Sequence, residues 1–318
     1  MLNSIPKISF VAPVYNEENN LEILYERIRN SAAVSRVDYE VIFVDDGSTD
    51  NSLNVMKRLC GADEKVLYIS LSRNFGHQNA IFAGMTYAKG EAVVTMDADL
   101  QHPPSLIPQM VKLWRKGAEV VYTKKNESNL PPLKHFIVKA SYRFISRISG
   151  LSLNFGQSDF RLIDKKVLKV ILEMPEYHKF LRGQVSWIGF RQEALSYDVG
   201  KRHSGKPKYS YKTLYELAMN GIFSFGKYPL HLVMLFSLVV FAVSSLYMLF
   251  IFINRVLMLF NLWHFPAFPG WTALVMVVLF LGSIQLMTIG ILGEYVGRIF
   301  DQTKKRPVFI VRETSNEK

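Results

Sequence analysis

From Ile8 to Met96 the chain alternates short apolar runs with stretches in which apolar side chains recur every three or four positions. The runs Ile8–Val14, Tyr39–Val44, Val66–Ser70 and Ala92–Met96 are almost continuously apolar, the pattern of strands covered on both faces. Between them, Glu18–Ser31 carries Leu21, Leu24 and Ile28 at helical spacing, and Ser52–Leu59 and Asn79–Lys89 read as further helices. Strand and helix alternating at such short intervals predict βαβ units, hence an α/β fold with a mostly parallel sheet and helices on both faces. Ligands of such sheets bind beyond the carboxyl ends of the strands. The polar residues that follow each run are therefore where chemistry is expected.

The pattern changes after Lys227. Tyr228–Asn254 contains no Asp, Glu, Lys or Arg, and neither does Val256–Gly293, which Trp263-His264-Phe265-Pro266 and Phe268-Pro269-Gly270 interrupt. A bilayer core takes roughly 20 apolar residues in a helix, so two spans are predicted, near 231–253 and 271–293. Lys201, Arg202, Lys206, Lys208, Lys212 and Lys227 precede the first, and Arg298, Lys304, Lys305 and Arg306 follow the second. The connecting loop holds only Arg255. Basic flanks mark the cytoplasmic side, and the amino terminus has no signal-peptide pattern. The expectation is a multi-pass protein of the inner (plasma) membrane with its catalytic domain and both termini cytoplasmic. Leu133–Leu151 and Tyr211–Phe225 have the basic, amphipathic character of interfacial helices. The chain then divides into a catalytic domain at 1–210, a juxtamembrane segment at 211–228, a two-helix transmembrane anchor at 229–298 and a cytoplasmic tail at 299–318. The polar residues after Arg306 are expected to be mobile.

Composition narrows the chemistry. The charge sum is +11, and 49% of residues are hydrophobic, which excludes a disordered chain. A single cysteine, Cys60, excludes an intramolecular disulfide and a cysteine-built zinc site. There is no Gly-x-Gly-x-x-Gly fingerprint and no Gly-Lys-Ser phosphate loop, so dinucleotide oxidoreduction and P-loop ATP hydrolysis lose support. No nucleic acid is expected as a partner.

Three strand ends carry polar clusters. Asp97 and Asp99 stand where the fourth run ends and the chain turns; two carboxylates there can share a hard cation, with Gln101 adding a neutral oxygen. The alternative is a surface turn capping the helix that Pro103-Pro104 would start. Asp45-Asp46-Gly47-Ser48-Thr49-Asp50 is turn and N-cap material, with Ser48 or Asp50 as cap, or it places a carboxylate on the imide N–H of a uracil ring. The spacing does not choose between these readings.

Taken together, Pro13-x-Tyr15-Asn16-Glu17, Val44-Asp45-Asp46-Gly47-Ser48 and Met96-Asp97-Ala98-Asp99-Leu100-Gln101-His102-Pro103-Pro104 resemble glycosyltransferase family 2, in its dolichol-phosphate mannose synthase-like branch. With Phe75-Gly76-His77-Gln78-Asn79-Ala80 and the two spans, the pattern is similar to the bacterial polyprenyl-phosphate (bactoprenol) glucosyltransferases. The resemblance implies a GT-A (Rossmann-like) fold, a nucleotide-sugar donor, a polyprenyl-phosphate acceptor in membrane lipid, and Mg2+ or Mn2+. It implies inverting transfer of a hexose, foremost glucose from UDP-glucose, to undecaprenyl or polyprenyl phosphate. UDP-GlcNAc, GDP-mannose or a modified UDP-arabinose are the alternative donors. A noncatalytic nucleotide-sugar binder or a lipid-carrier transporter is the alternative class, and a homo-oligomer is left open.

Carried to this chain, the resemblance implies that Pro13, Tyr15, Glu17 and Asp46 hold the nucleoside. Asp97 and the Ala98 backbone would touch the ribose and diphosphate, and Asp97, Asp99 and Gln101 would surround the metal. Lys125 stands at a position that is often basic. The loop bearing Arg202, Lys206 and Lys208 would fold over the diphosphate, where arginine suits bidentate phosphate contact. Asp159 matches the position of a base, which with Arg202 would be catalytic. Alternatively Asp159 orients the acceptor, neutralises Arg161, or caps a helix over Phe160–Leu172. Lys134, Arg143 and Arg147 are candidates for the acceptor phosphate, and His77 and His102 lie near the site without the spacing of a zinc cage.

Overall fold

The computed structural model describes residues 5–125, 157–197, 228–260 and 270–315. The interfacial-helix candidates Leu133–Leu151 and Tyr211–Phe225 lie outside the described residues. The chain forms two compact units. One comprises residues up to Ser224 together with Arg306–Lys318, and the other is Phe225–Lys305.

The first unit is an eight-stranded sheet between helices. Its chain order is β1 (Lys7–Val14), α1 (Leu21–Ser35), β2 (Asp38–Asp45), α2 (Ser52–Ala62), β3 (Val66–Leu71), α3 (His77–Tyr87), β4 (Ala92–Thr95), a short 3-10 turn at Pro104–Leu106 and α4 (Ile107–Arg115). There follow β5 (Val120–Lys125), β6 (Gln157–Asp164), α5 (Lys165–Glu173), α6 (Leu181–Ile188), β7 (Gln192–Tyr197) and, after the second unit, β8 (Val311–Thr314). The strands lie in the order β7-β5-β6-β4-β1-β2-β3-β8. The central strands β3, β2, β1 and β4 are mutually parallel, and β5 is parallel to β7. β6 runs antiparallel to both β4 and β5, and β8 runs antiparallel to β3. This is a GT-A sheet: a parallel nucleus with mixed flanks.

The alternation of a pleated strand distributes the core. Along β1, Ile8, Phe10, Ala12 and Val14 face one layer, with Leu21, Leu24 and Ile28 of α1, Met56 of α2 and Met110 of α4. Val11 faces the other, with Ala80, Ile81 and Ala83 of α3, Val167 and Ile171 of α5 and Val185 of α6. The α3 face approaches closely because Gly84 lacks a side chain: a Cβ there would meet Val11 Cγ1 at 2.4 Å. At the amino ends of the strands the buried Glu40 accepts from Ser9 Oγ at 2.6 Å and Lys89 N at 2.7 Å, and pairs with Lys7 at 2.7 Å. That carboxylate cluster is a staple at the end of the sheet away from the expected chemistry.

The second unit is two helices, α7 (Tyr228–Leu259, 32 residues) and α8 (Gly270–Thr303, 34 residues). Both contain stretches long and apolar enough to cross a membrane, Leu230–Leu259 and Val277–Thr303. The two helices contain the predicted segments 231–253 and 271–293 and run past them at both ends, furthest at the carboxyl ends. Their apolar side chains stand exposed, Phe241 at 71% and Leu286 at 72%, as expected of surfaces whose solvent is lipid rather than water.

The sequence suggested a mobile tail, but the described tail residues, up to Ser315, join the sheet. Beyond Arg306 the chain returns to the sheet as β8. There Ser72 N donates to Ile310 O at 2.9 Å, Ser315 N donates to Tyr68 O at 3.1 Å, and Lys57 pairs with Glu313 at 2.6 Å. Phe309 packs edge-on against Phe82 of α3, with ring centroids 6.4 Å apart. Removing residues 306–318 is therefore expected to lower the thermal midpoint of the detergent-purified protein by about 4–8 °C, the equivalent of about 2 kcal/mol in a domain of this size. A differential scan would measure it, and an unchanged midpoint would show that β8 contributes no stability.

Candidate active site

The loops after β1 and β2 interlock. Asn16 N donates to Ser48 Oγ at 3.1 Å, Thr49 N returns a bond to Asn16 Oδ1 at 2.8 Å, and Glu17 N donates to Ser52 Oγ at 2.9 Å. Asn16 makes this turn with φ 56, a left-handed conformation that asparagine tolerates better than most side chains. Pro13 is buried in β1 opposite Val44, whereas Tyr15 is exposed. Ser48 does not cap α2, whose N-cap position is Asn51 without a side-chain bond, but Asp50 Oδ1 accepts from the first N–H of the helix, Ser52 N, at 3.0 Å.

The two adjacent aspartates divide the work that the spacing left undecided. Asp45 is structural: it accepts from Ser48 N at 2.9 Å and from Ser70 Oγ at 3.1 Å. Asp46 accepts from Phe75 N at 2.7 Å and Gly76 N at 3.0 Å, so it reaches across to the loop before α3. Gly47 allows that approach. Its φ is 73, and a Cβ would stand 2.8 Å from Asn74 N. Burial is the largest influence on Asp46 and outweighs the two N–H donors, pushing its carboxyl up to about 6.

Asp97 and Asp99 follow β4 in a turn that places Leu100 at φ 62, an uncommon conformation for leucine and of the kind that concentrates at functional sites. Gln101 N donates to Asp99 Oδ1 at 3.1 Å. Neither aspartate caps α4, whose N-cap position is Leu106. Two histidines brace Asp97. His77 Nε2 lies 2.7 Å from Oδ1. His102, buried, accepts from Asp97 N at Nδ1 (3.0 Å), so its proton is on Nε2, which faces Ser158 Oγ at 3.0 Å and Asp97 Oδ2 at 3.6 Å. Burial would raise the Asp97 carboxyl, but His102 and His77 hold it well below the usual range. Among the described residues there is no grouping of three His, Cys, Asp or Glu able to hold a metal. Asp97, Asp99 and Gln101 offer oxygen donors only. Such a set fits a hard cation that completes its shell with substrate phosphate and water.

Asp159 lies on β6, not before a helix. The β4–β6 register ends where Thr95 pairs with Arg161; Thr95 Oγ1 donates to Asp159 O at 2.6 Å, and the Asp159 carboxylate lies within electrostatic reach of Asp97. The helix cap of this region is Asp164, which accepts from Lys166 N. Asp159 is buried and bound on both oxygens by Arg182, Nε to Oδ1 at 2.9 Å and Nη2 to Oδ2 at 2.7 Å. Arg161 Nη2 adds a contact at 3.4 Å and Gln78 Nε2 one at 3.2 Å. Burial would raise this carboxyl, yet Arg182 foremost, then Arg161 and His77, hold it far below the usual carboxylate range. A carboxylate so held is a poor proton acceptor and a firm strut.

The structure thus brings Pro13, Glu17, Asp46, Asp97, Ala98, Asp99, Gln101 and Asp159 to the carboxyl ends of β1, β2 and β4 and the adjoining start of β6. Lys125 is the last residue of β5, opposite Tyr197. Arg202, Lys206, Lys208, Lys134, Arg143 and Arg147 lie outside the described residues. Sequence reasoning missed Arg182, which no strand-end rule points to. It also missed the reach of Gln78, whose Oε1 accepts from Leu181 N at 3.2 Å while its amide holds Asp159.

The family model for Glycosyl transferase family 2 matches residues 9–172. A Bacillus subtilis protein named uncharacterized glycosyltransferase YkcC is 39% identical over 309 residues, 96% of this chain and 93% of its own length. An Escherichia coli K12 protein named prophage bactoprenol glucosyl transferase homolog is 34% identical over 307 residues, 96% of this chain and 98% of its own. Among solved structures, glucosyl-3-phosphoglycerate synthase from Mycobacterium tuberculosis, in complex with Mn2+, UDP and phosphoglyceric acid, aligns with a TM-score of 0.45 and 17% identity over 68% of this chain and 76% of that one.

The raised Asp46 carboxyl gives a signed expectation. A folded value near 6 against an ordinary value of 3.8 means that the folded protein holds the proton more tightly, so this group's contribution to stability falls as pH rises from about 4 to 6. If the ionised form receives a ligand N–H, UDP affinity should fall as pH drops through about 6, by about tenfold per pH unit below it. Titration calorimetry in Mn2+ buffers measures this. Asp46→Asn should bind weakly at every pH without that slope.

Proposed function

The chain belongs to glycosyltransferase family 2, and from that premise we propose that it transfers one hexose, foremost glucose from UDP-glucose, to polyprenyl phosphate at the cytoplasmic face of the plasma membrane. The observation that carries the reading is the convergence of Asp46, Asp97 and Asp159 on the segment Phe75–Gln78, in a chain that also holds two long, apolar, unburied helices. A site built to handle a nucleotide diphosphate and an anchor suited to lipid belong together when the acceptor is itself a lipid phosphate. The relatives named bactoprenol glucosyl transferase support glucose and the polyprenyl carrier. The basic flanks of α7 and α8 support a cytoplasmic site.

The reaction needs an acceptor oxygen in line with the anomeric carbon while nucleoside diphosphate leaves, which inverts that carbon. A phosphate monoester with a second pKa of about 6 is already a nucleophile at neutral pH, so no residue has to remove a proton. Asp159, held by Arg182 and Arg161, suits the orienting role better than the role of base. Asp46 and the β1–β2 loops would hold the nucleoside. Asp97, Asp99 and Gln101 would hold Mg2+ or Mn2+, which when bound offsets the charge that develops on the leaving diphosphate. Gln101 N and His77 keep those two carboxylates aimed.

The test is product formation. Full-length protein in detergent with polyprenyl phosphate and Mg2+ or Mn2+ is offered labelled UDP-glucose, UDP-GlcNAc, GDP-mannose and a UDP-arabinose derivative in parallel. We expect a labelled lipid with UDP-glucose and a loss of about 100-fold or more in Asp99→Asn. Donor binding without lipid product from any of the four would sink the transferase reading in favour of a nucleotide-sugar binder.

A further inference from the structure

Arg182 has a placement that no strand-end motif accounts for. It enters the site from the first turn of α6 and meets Asp159 edge-on, through Nε and Nη2. A guanidinium is planar and rigid, so a carboxylate on the Nε–Nη2 edge turns Nη1 away from it. Of the three charged groups in this cluster, Asp159 is 6% exposed, Arg161 is 2% exposed, and Arg182 alone reaches the surface, at 19%. Gln78 fixes the arrangement from both sides by donating to Asp159 and accepting from the backbone N–H of Leu181, the residue before Arg182. The neighbouring Arg161 is buried with Nη1 lacking a hydrogen-bond partner among the described residues.

This cluster sits beside Asp97. Thr95 Oγ1 ties the end of β4 to Asp159 O at 2.6 Å, and the Asp159 carboxylate acts on Asp97 through space. His77, which holds Asp97, adjoins Gln78, which holds Asp159. The electrostatic influence of Arg182 extends to both His77 and Tyr197, the latter also under the influence of Asp97 and Asp99. A cation held by its own carboxylate, aimed by that carboxylate and beside the proposed metal ligands, is the arrangement that receives an anionic oxygen.

We propose that Arg182, locked in place by Asp159 and Gln78, is a phosphate-oxygen subsite of the reaction centre, and that Asp159 is its positioning residue. The proposal rests on the transferase reading, in which two phosphates enter this cleft: the monoester of the lipid acceptor and the diphosphate of the donor. Arginine rather than lysine is required because the fork must bind the strut on one edge and the substrate on another.

Two variants of the full-length protein test this. Arg182→Lys keeps a positive charge opposite Asp159 but loses the fork. Asp159→Asn with Arg182→Gln removes the strut and its cation together but leaves the buried Arg161 without its carboxylate, so the melting temperature of each variant is recorded as a control. UDP with Mn2+, and a short-chain polyprenyl phosphate, are each titrated by calorimetry, and kcat and KM are measured for the lipid. An acceptor subsite raises the dissociation constant and KM for polyprenyl phosphate about tenfold with UDP affinity within twofold of wild type. A donor subsite weakens UDP about tenfold and leaves the acceptor constant within twofold. Either pattern supports the proposal and identifies the phosphate. If both constants stay within twofold in both variants, the proposal is overturned, whatever happens to kcat or to the melting temperature. Failure of the transferase reading looks different: wild type itself makes no lipid product, while the two binding titrations still report on Arg182.

Discussion

Carboxylates gathered at neighbouring strand ends repel one another, and this site exists because one short segment gives each of them its own donors. Phe75 and Gly76 bond Asp46 through the backbone, His77 bonds Asp97, and Gln78 bonds Asp159. The segment does so because it is the entry to α3, where the chain leaves β3 and its N–H groups have no partners inside the helix. Gly76, at φ 95, makes the turn that presents successive residues to different strands. Strands brought side by side by the sheet are thus joined a second time at their ends.

Charge is apportioned by the same geometry. Asp46 receives only neutral N–H donors, and burial leaves its carboxyl high. Asp97 has imidazoles and Asp159 has guanidiniums, and both are held low. The acids therefore differ in what they can do near neutral pH: the first is poised to respond to a ligand or to mild acid, and the others are fixed anions that aim their partners. Left-handed backbone falls in the same places. Asn16, Gly47 and Leu100 all adopt left-handed conformations in the loops after β1, β2 and β4, away from the regular pairs of the ladder. The rigid parallel nucleus is what holds such turns in place.

Much of this was legible along the chain. The continuous apolar runs of β1 to β4 fixed the parallel nucleus, and the polar residues after them marked the crevice. What was not legible came from strands that do not look like strands. β6 reads Gln-Ser-Asp-Phe-Arg-Leu-Ile-Asp, with Asp159 and Arg161 where an isolated reading allows only exposure. Both are buried because Asp159 pairs with Arg161 and with Arg182, a partner more than twenty positions away that no local pattern announces. Asp45 and Asp46 were indistinguishable for a related reason. Adjacent residues at a strand end point to opposite sides, and only the position of the β3–α3 loop decides which side holds the cleft.

The last strand carries a topological consequence. β8 is short and polar, so its sequence resembles a free tail, but antiparallel pairing to β3 supplies what its composition does not. It also covers what would otherwise be an exposed sheet edge beside β3, a liability in any open sheet. Because β8 follows α8 and the other seven strands precede α7, the sheet can close only if the chain before and after the two helices emerges on one side of any bilayer they enter. An odd number of crossings is incompatible with the fold. This constraint is independent of the basic residues that flank the helices: it comes from backbone hydrogen bonds, and the charge pattern agrees with it.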